Sequence, residues 1–341
     1  MKTESANRRL PTRRDALRIL AVGGAAGVAW RFGLFSRSAP RTVTRSRILM
    51  GTGVHISVLD DDRDAAEAAV EATLQRMAGL ENLLSRHRAD SELSRLNTEG
   101  RLDRASEPLL EVLRLSDHIS RLGDGAFDVT VQPVLDLYRG HVPGDGALPN
   151  AEAIERAVAR VGHRALRIEG NRVALQRHGM RVTLDGVGKG YIVDRGVDEL
   201  REHGFTSVFV EAGGDLVASG DKGSGTPWRI GIRRPRPGLT LQARFDARNR
   251  AVATSGDYMQ PFTPDYTQHH IVDPRTGFSA PELASSTVIA SNAATADALA
   301  TLTMVLGPRK GRDLLENLPD CEGYFVSKDL EVTRTSGFAV V

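Results

Sequence analysis

Six short stretches of strand character follow one another in the second half of the chain: SVFVEAG, DLVASG, WRIGIRR, LTLQARFD, RAVATSG and SSTVIA. Alternation and β-branched content mark them as strands, and clusters of Gly, Asp, Asn and Pro bound them. A chain with this succession must build a sheet, and helical patterns flank it on both sides. RILMGTGVHISVLD, residues 47–60, reads as one strand, and Asp64 to Ser85 as an amphipathic helix rich in Ala, Glu and Leu. A second helix is predicted from Glu107, with Ser106 as N-cap and Pro108 in the first turn, ending near Gly123; Asn150 caps a third. ALRIEGNRVALQR reads as a hairpin across Gly170 and Asn171, and YIVDRGVDELREHG as a helix ended by Gly204. Ala293 to Leu306 forms a late helix stopped by Gly307 and Pro308, and GYFVSKDLEVTRT is a final hairpin. With no internal repeat or low-complexity tract, the expected class is α+β: one compact unit with a mixed or antiparallel sheet and packed helices.

Charge separates the front of the chain from the rest. Residues 1–50 carry eleven Lys or Arg against two acids, so the remaining 291 carry thirty-four against forty-one, a net of −7 behind an overall +2. A body of that sign argues against a nucleic-acid surface, which needs clustered basic side chains. Arg13 and Arg14 precede a Gly/Ala-rich apolar run from Ile19 to Trp30, too short to span a bilayer with confidence. This is the pattern of a twin-arginine export signal, which sets the expected division at 1–45, signal and basic linker, and 46–341, the functional domain. The expected location is the periplasm. No clean small-x-small cleavage triplet follows, so a segment left uncleaved would tether the protein to the inner membrane. The single cysteine, Cys321, allows no internal disulfide, and no cysteine near the N-terminus offers lipid attachment.

DGVGKGYIVD, residues 185–194, sets glycines around a lysine ahead of a helix. It fails as a phosphate loop of the Walker kind because Gly190 stands where Ser or Thr would hold magnesium, and the spacing of the dinucleotide-binding glycines is absent too. It keeps a permissive backbone and free helix N–H groups suited to an anion, or an ordinary strand-to-helix turn. Asp297 and Thr301, four apart on a predicted helix, share one face and offer hard oxygens that suit Mg²⁺, or a solvated stripe. In HHIVDPRTG, residues 269–277, a histidine near an aspartate can serve as general base, or the pair can be an ordinary surface feature; zinc is disfavoured because adjacent strand histidines face opposite ways. VEAGGD and ATSGDY place Glu211, Asp215, Thr254, Ser255 and Asp257 at predicted strand ends, where ligand contacts collect.

The order of these blocks is more specific than any one of them. SELSRLN (91–97), GAFDVTVQPV (125–134), DGVGKGYIVD, VEAGGD (210–215), PWRIGI (227–232), ATSGDY (253–258), HHIVDPRTG and ADALAT (296–301) together resemble the ApbE family of FAD:protein FMN transferases, from about Met50 to the C-terminus. The resemblance implies an ApbE-like, T-fold-like domain, FAD as substrate, Mg²⁺ as cofactor, and transfer of FMN through its phosphate to a Ser or Thr hydroxyl of a target protein with release of AMP. It implies Asp297, Thr301 and a backbone carbonyl near Gly188 as metal ligands. His270 follows as base or positioner beside the phosphates, with Asp273 and Arg275 shaping that loop, and His270 and Asp273 as the catalytic pair. Ser91, Glu92, Phe127, Asp128, Thr130, Lys189, Glu211, Thr254, Ser255, Asp257 and Arg275 would contact FAD, with Phe127 and Tyr258 as candidate ring-stacking partners. The target, by the same resemblance, would be a flavoprotein subunit of an electron-transfer complex or a respiratory regulator.

Two departures stand out. The family's usual DLGGIAKG reads TLDGVGKG here, so Thr183 replaces the leading acid and Asp185 appears where glycine is usual. The front end lacks the lipid-anchor cysteine of many relatives. Two other activities share the same features: an FAD pyrophosphatase giving FMN and AMP, and a non-catalytic FAD-binding accessory protein, though the latter would not need the metal-ligand pair.

Overall fold

The computed structural model describes residues 42–140, 148–238 and 241–341. The export-signal reading, with Arg13 and Arg14, lies outside the described residues. The chain opens with β1 (Thr42–Leu49) and β2 (Thr52–Leu59), an antiparallel pair in which Leu49 faces Thr52. The stretch expected to be one strand is therefore a hairpin. Met50 and Gly51 both take positive φ, 53° and 71°, the left-handed pair that a two-residue turn needs to match strand twist. Strand β1 begins at Thr42, ahead of the domain start expected at 46.

Helix α1 (Arg63–Leu84) starts where the Asp62 carboxylate accepts from Ala65 N–H, and it buries Ala66, Ala69, Val70, Leu74, Met77 and Leu80. Two short helices escaped the sequence reading: α2 (Glu92–Glu99) and α4 (Gln132–Arg139), on either side of α3 (Glu107–Leu122). Both span eight residues, too short for periodicity to stand out. Helix α5 (Ala151–Val158) is capped by Asn150 as expected, and β4 (Leu166–Glu169) pairs with β5 (Arg172–Leu175) as the expected hairpin, joined at its edge by β3 (Arg101–Leu102).

Helix α6 (Gly188–Glu202) leads into the sheet strands β6 (Val208–Ala212), β7 (Asp215–Ser219), β10 (Arg250–Gly256), β11 (Leu283–Ala290), β12 (Glu322–Ser327) and β13 (Val332–Arg334). With β1 and β2 they form an eight-stranded sheet in the order β1-β2-β6-β7-β10-β11-β12-β13, antiparallel throughout. One face carries α1, α6 and α7 (Ala293–Glu316) over a core that includes Ile56, Val210, Ala253, Leu299 and Phe325. The opposite face is covered by the separate pair β8 (Trp228–Arg233) and β9 (Leu241–Ala247), whose Trp228, Ile230, Ile232 and Phe245 pack on Leu216, Val252, Tyr324 and Val326. Each strand of a two-faced sheet must present apolar side chains to a covering layer, and here one cover is helical and the other a ribbon.

Helix α7 does not stop at Leu306. Gly307 breaks it with φ 79° and ψ 173°, Pro308 then occupies the first turn of a second segment, and the helix runs on to Glu316. Gly and Pro end one helical segment and begin the next with the same two residues, because Pro lacks only an N–H that a first turn leaves free.

Candidate active site

The N-termini of α6 and α7 meet edge to edge. A Cβ at Gly190 would overlap the Ala293 carbonyl and Ala294 nitrogen, so only glycine allows this approach. Asp194, one turn further along α6, accepts from Ala293 N–H at 2.7 Å and Ala294 N–H at 2.9 Å, and Asn292 accepts from Thr295 N–H. Two orphan donors of α7 are satisfied by a residue of its neighbour. Burial pushes the Asp194 carboxyl up to about 6, against those two hydrogen bonds. Gly190 thus serves helix packing.

This contact brings Asp297 over the start of α6, where its carboxylate accepts from Gly190 N–H at 3.2 Å. Lys189 pairs with Asp215, which is 1% exposed at the start of β7. Asp297 is buried and lies in the field of Asp215; burial and that repulsion push its carboxyl up to about 7, although Lys189 pulls the other way. One turn on, Thr301 Oγ1 lies 3.2 Å from Ser255 Oγ of β10. A Cβ at Gly186 would come within 2.9 Å of that Thr301 oxygen, so the glycine keeps it reachable.

These groups line a cleft of two compartments. The inner one, about 150 Å³, is walled by Phe127, Asp128, Arg139, Thr183, Thr254, Ser255, His270, Asp297 and Thr301 among others. The outer one, about 610 Å³, is bounded by Met50, Leu84, Arg86, His87, Gly188 and Ile192. Asp185, Lys189 and Gln260 border both. His270 is half-buried; burial, and secondarily His269, lower it to about 4, so its imidazole is neutral, and Nδ1 has no hydrogen-bond partner. His269 faces the other way, fully buried, with Nε2 2.9 Å from the Ala280 carbonyl and Nδ1 accepting from Ile271 N–H. His269 braces an irregular segment that bridges to Pro261, and its neighbour His270 borders the cavity.

The donor set fits a hard divalent cation. Among the described residues no group of three or more His, Cys, Asp or Glu could hold a metal. The oxygens available are the Asp297 carboxylate, the Thr301 and Ser255 hydroxyls and backbone carbonyls. A carboxylate that burial and an acidic neighbour leave poorly compensated would gain from a cation, and few protein oxygens plus water and substrate is the Mg²⁺ habit. Gly188, the expected carbonyl donor, is the first residue of α6 and borders the outer compartment.

Of the sequence-derived candidates, the structure gathers Phe127, Asp128, Lys189, Thr254, Ser255, His270, Asp297 and Thr301 on the inner compartment. It does not bring the others there. Ser91 caps α2, accepting from Ser94 N–H at 2.9 Å, and Glu92 accepts from the Ser106 N–H and hydroxyl at 3.0 and 2.8 Å. Ser106 itself makes no side-chain cap, because its hydroxyl is given to Glu92. Thr130 donates to Asp128 at 2.6 Å and accepts from Gly162 N–H, which fixes the GAFD turn from behind. Asp257 is fully buried and held by Arg236 through bonds of 2.7 and 2.9 Å; Tyr258 sits near Arg233 outside the cavity lining. Asp273 and Arg275 bind each other at 2.9 and 2.7 Å across a tight turn, while Pro274 between them reaches the cavity. Glu211 accepts from Gly214 N–H at 2.6 Å and borders a separate pocket under β8 and β9. Sequence reasoning missed Arg86, Arg139, Met259 and Gln260, whose segments carry no motif of their own.

The ApbE family model matches residues 50–325. An FAD:protein FMN transferase of Klebsiella pneumoniae is 34% identical over 277 residues, covering 78% of this chain and 79% of that protein. One of Vibrio cholerae is 32% identical over 274 residues, covering 78% and 82%. Among solved structures, the flavin transferase ApbE of Vibrio cholerae superposes with a TM-score of 0.76 at 30% identity, over 88% of this chain and 98% of that one. The apo flavinyl transferase ApbE of Pseudomonas stutzeri gives 0.74 at 31%, over 89% and 98%. In sequence and in fold, this chain belongs to the ApbE family.

Proposed function

We propose that this protein is an FAD:protein FMN transferase that requires Mg²⁺ and acts on a Ser or Thr hydroxyl of an exported or membrane-bound redox protein, in the periplasm. The observation that carries the reading is the meeting of Asp297, Thr301, Lys189 and His270 on one small compartment. In the reaction the acceptor oxygen attacks the phosphorus of the FMN half, the bond from that phosphorus to the bridging oxygen breaks, and AMP leaves with the bonding pair. The hydroxyl proton goes to a base. A bound Mg²⁺, held by Asp297 and Thr301, would neutralise phosphate charge.

The chain's own groups support the remaining work. The imidazole of His270, neutral and bordering the inner compartment, would accept the hydroxyl proton or orient the hydroxyl. Lys189, anchored by Asp215, offers a fixed positive charge to the phosphates. Phe127, 4% exposed, gives the compartment an apolar wall against which a ring can lie. The twin-arginine reading of Arg13 and Arg14 supports export, and among the described residues no helix is long and apolar enough to cross a membrane.

The test is to mix the protein with FAD, Mg²⁺ and a candidate acceptor domain and to record the acceptor's intact mass. A gain of one FMN phosphoester, lost when the metal is chelated, supports the transferase. Free FMN and AMP without a mass gain in any acceptor tried would make the protein a pyrophosphatase, and bound, uncleaved FAD would make it a carrier.

A further inference from the structure

The carboxylate of Asp185 gathers two arginines from distant parts of the chain. Arg86, just beyond α1, approaches with Nε 3.1 Å from Oδ1 and 3.0 Å from Oδ2, and with Nη2 3.0 Å from Oδ2. Arg139, the last residue of α4, has Nη2 3.6 Å from the same Oδ2. Arg86 borders the outer compartment, Arg139 the inner one, and Asp185 both. The three side chains therefore form the waist of the cleft.

The cluster is incomplete as it stands. Arg139 Nη1 is buried and has no hydrogen-bond partner. An unmet guanidinium donor is costly, and native folds rarely keep one without a use. Burial and repulsion from Arg86 both work against the Arg139 charge, and Asp185 offsets only part of this. An anion at the waist would supply the missing acceptor, and a guanidinium matches phosphate oxygens in geometry as well as charge.

Size locates that anion. The inner compartment, about 150 Å³, is too small for a dinucleotide, and Asp185, Lys189 and Gln260 border both it and the outer compartment of about 610 Å³. A flavin dinucleotide that enters both passes the waist, and its midpoint is the diphosphate. We propose that Asp185 holds Arg86 and Arg139 as a two-arginine clamp on the substrate diphosphate, with Arg139 Nη1 donating to a non-bridging oxygen. Asp185 is the positioning residue, and Arg139 touches the substrate. The inference rests on the flavin-dinucleotide reading of the site.

Isothermal titration of the full-length protein with ADP and Mg²⁺, and separately with riboflavin, tests it. Arg139→Gln is expected to weaken ADP about 10- to 100-fold, the effect of one charge-assisted phosphate contact, while riboflavin, which has no phosphate, binds as before. Arg139→Lys recovers part of the loss, and Asp185→Ala raises KM for FAD several-fold while kcat stays within about twofold. ADP binding in Arg139→Gln within twofold of the native protein overturns the clamp, as does an equal loss for riboflavin, which would give Arg139 a purely structural role. Should Arg139→Gln fail to fold, Arg139→Lys reads the same comparison, with ADP alone weakened about three- to tenfold. A protein that binds ADP through Arg139 yet transfers no FMN keeps the clamp and loses the transferase; unchanged ADP binding beside intact transfer does the reverse.

Discussion

Replacing Asp297 by Asn is expected to make the cation-free protein more stable at pH 8 while abolishing transfer. The Asp297 carboxyl is pushed from its ordinary 3.8 to about 7, first by burial and then by Asp215. At about 1.36 kcal/mol per pH unit, holding it ionised in the fold costs on the order of 4 kcal/mol. An amide of the same shape removes that cost, and since the bond from Gly190 N–H to the carboxylate is already inside the shift, the gain is up to about 4 kcal/mol. The sign follows from linkage. A carboxyl raised in the fold binds protons more tightly there than in the unfolded chain, so its penalty is complete above pH 7 and fades as pH falls toward 4. The variant's advantage is therefore largest at pH 8 and shrinks toward pH 5. Urea unfolding in EDTA at both pH values measures it. An Asn variant less stable than the native protein at pH 8 would refute the charge argument and assign Asp297 a net stabilising role. Saturating Mg²⁺ is expected to reverse the order, because the native protein alone gains binding free energy from the ion.

Other substitutions separate packing from chemistry. His270→Ala is expected to lower kcat about 10²- to 10⁴-fold with little change in FAD affinity, read by steady-state kinetics beside a binding titration; equal loss of both would make it a binding residue. Ser91→Ala, which removes the cap of α2, is expected to cost about 1 kcal/mol in unfolding free energy and leave KM for FAD unchanged, so a raised KM would restore Ser91 as a flavin contact. Gly190→Ala drives a methyl into the Ala293 carbonyl, and thermal melting is expected to show a loss of about 3 kcal/mol or outright misfolding. Lys189→Met leaves Asp215 buried without its cation, with an expected loss of about 3–5 kcal/mol in denaturant unfolding.

Strands and long helices were legible because their signals are local. The six strand patterns of the second half became β6 to β11, and Asn150 caps its helix through its own side chain. Local signals failed where tertiary structure decides. In RILMGTGVHISVLD the glycines at 51 and 53 permit a turn, but a single strand with a glycine kink fits the same letters, and the pairing of β1 back on β2 decides between them. In the site, the motif blocks contain Asp297, Thr301, Lys189 and His270, which line one compartment. The same motif blocks also contain Ser91, Glu92, Thr130 and Asp257, whose partners are a helix end, Ser106, Asp128 and Arg236. Sequence order cannot divide a residue that touches substrate from one that braces the loop behind it, because both sit in the same short block. Arg86 and Arg139 show the converse, being placed at the cleft by the ends of α1 and α4 with no surrounding signature.

The charges of the cleft connect these observations. Its walls carry four cations, Arg86, Arg88, Arg139 and Lys189, and four acids, Glu81, Asp128, Asp185 and Asp297, with Asp215 pairing Lys189 from behind. The count is even on the walls and tilts negative once Asp215 is included. A diphosphate brings two further negative charges into a partly desolvated space, where they find local donors but no net positive field. Two arginines and a lysine can orient such a group without neutralising it. A divalent ion on Asp297 and Thr301 adds the missing two positive charges at the point where Asp297 is hardest to keep ionised. Under the proposed function, burial first and the repulsion from Asp215 second raise Asp297 in the free protein, and the ion that offsets them also meets the charge deficit felt by the substrate.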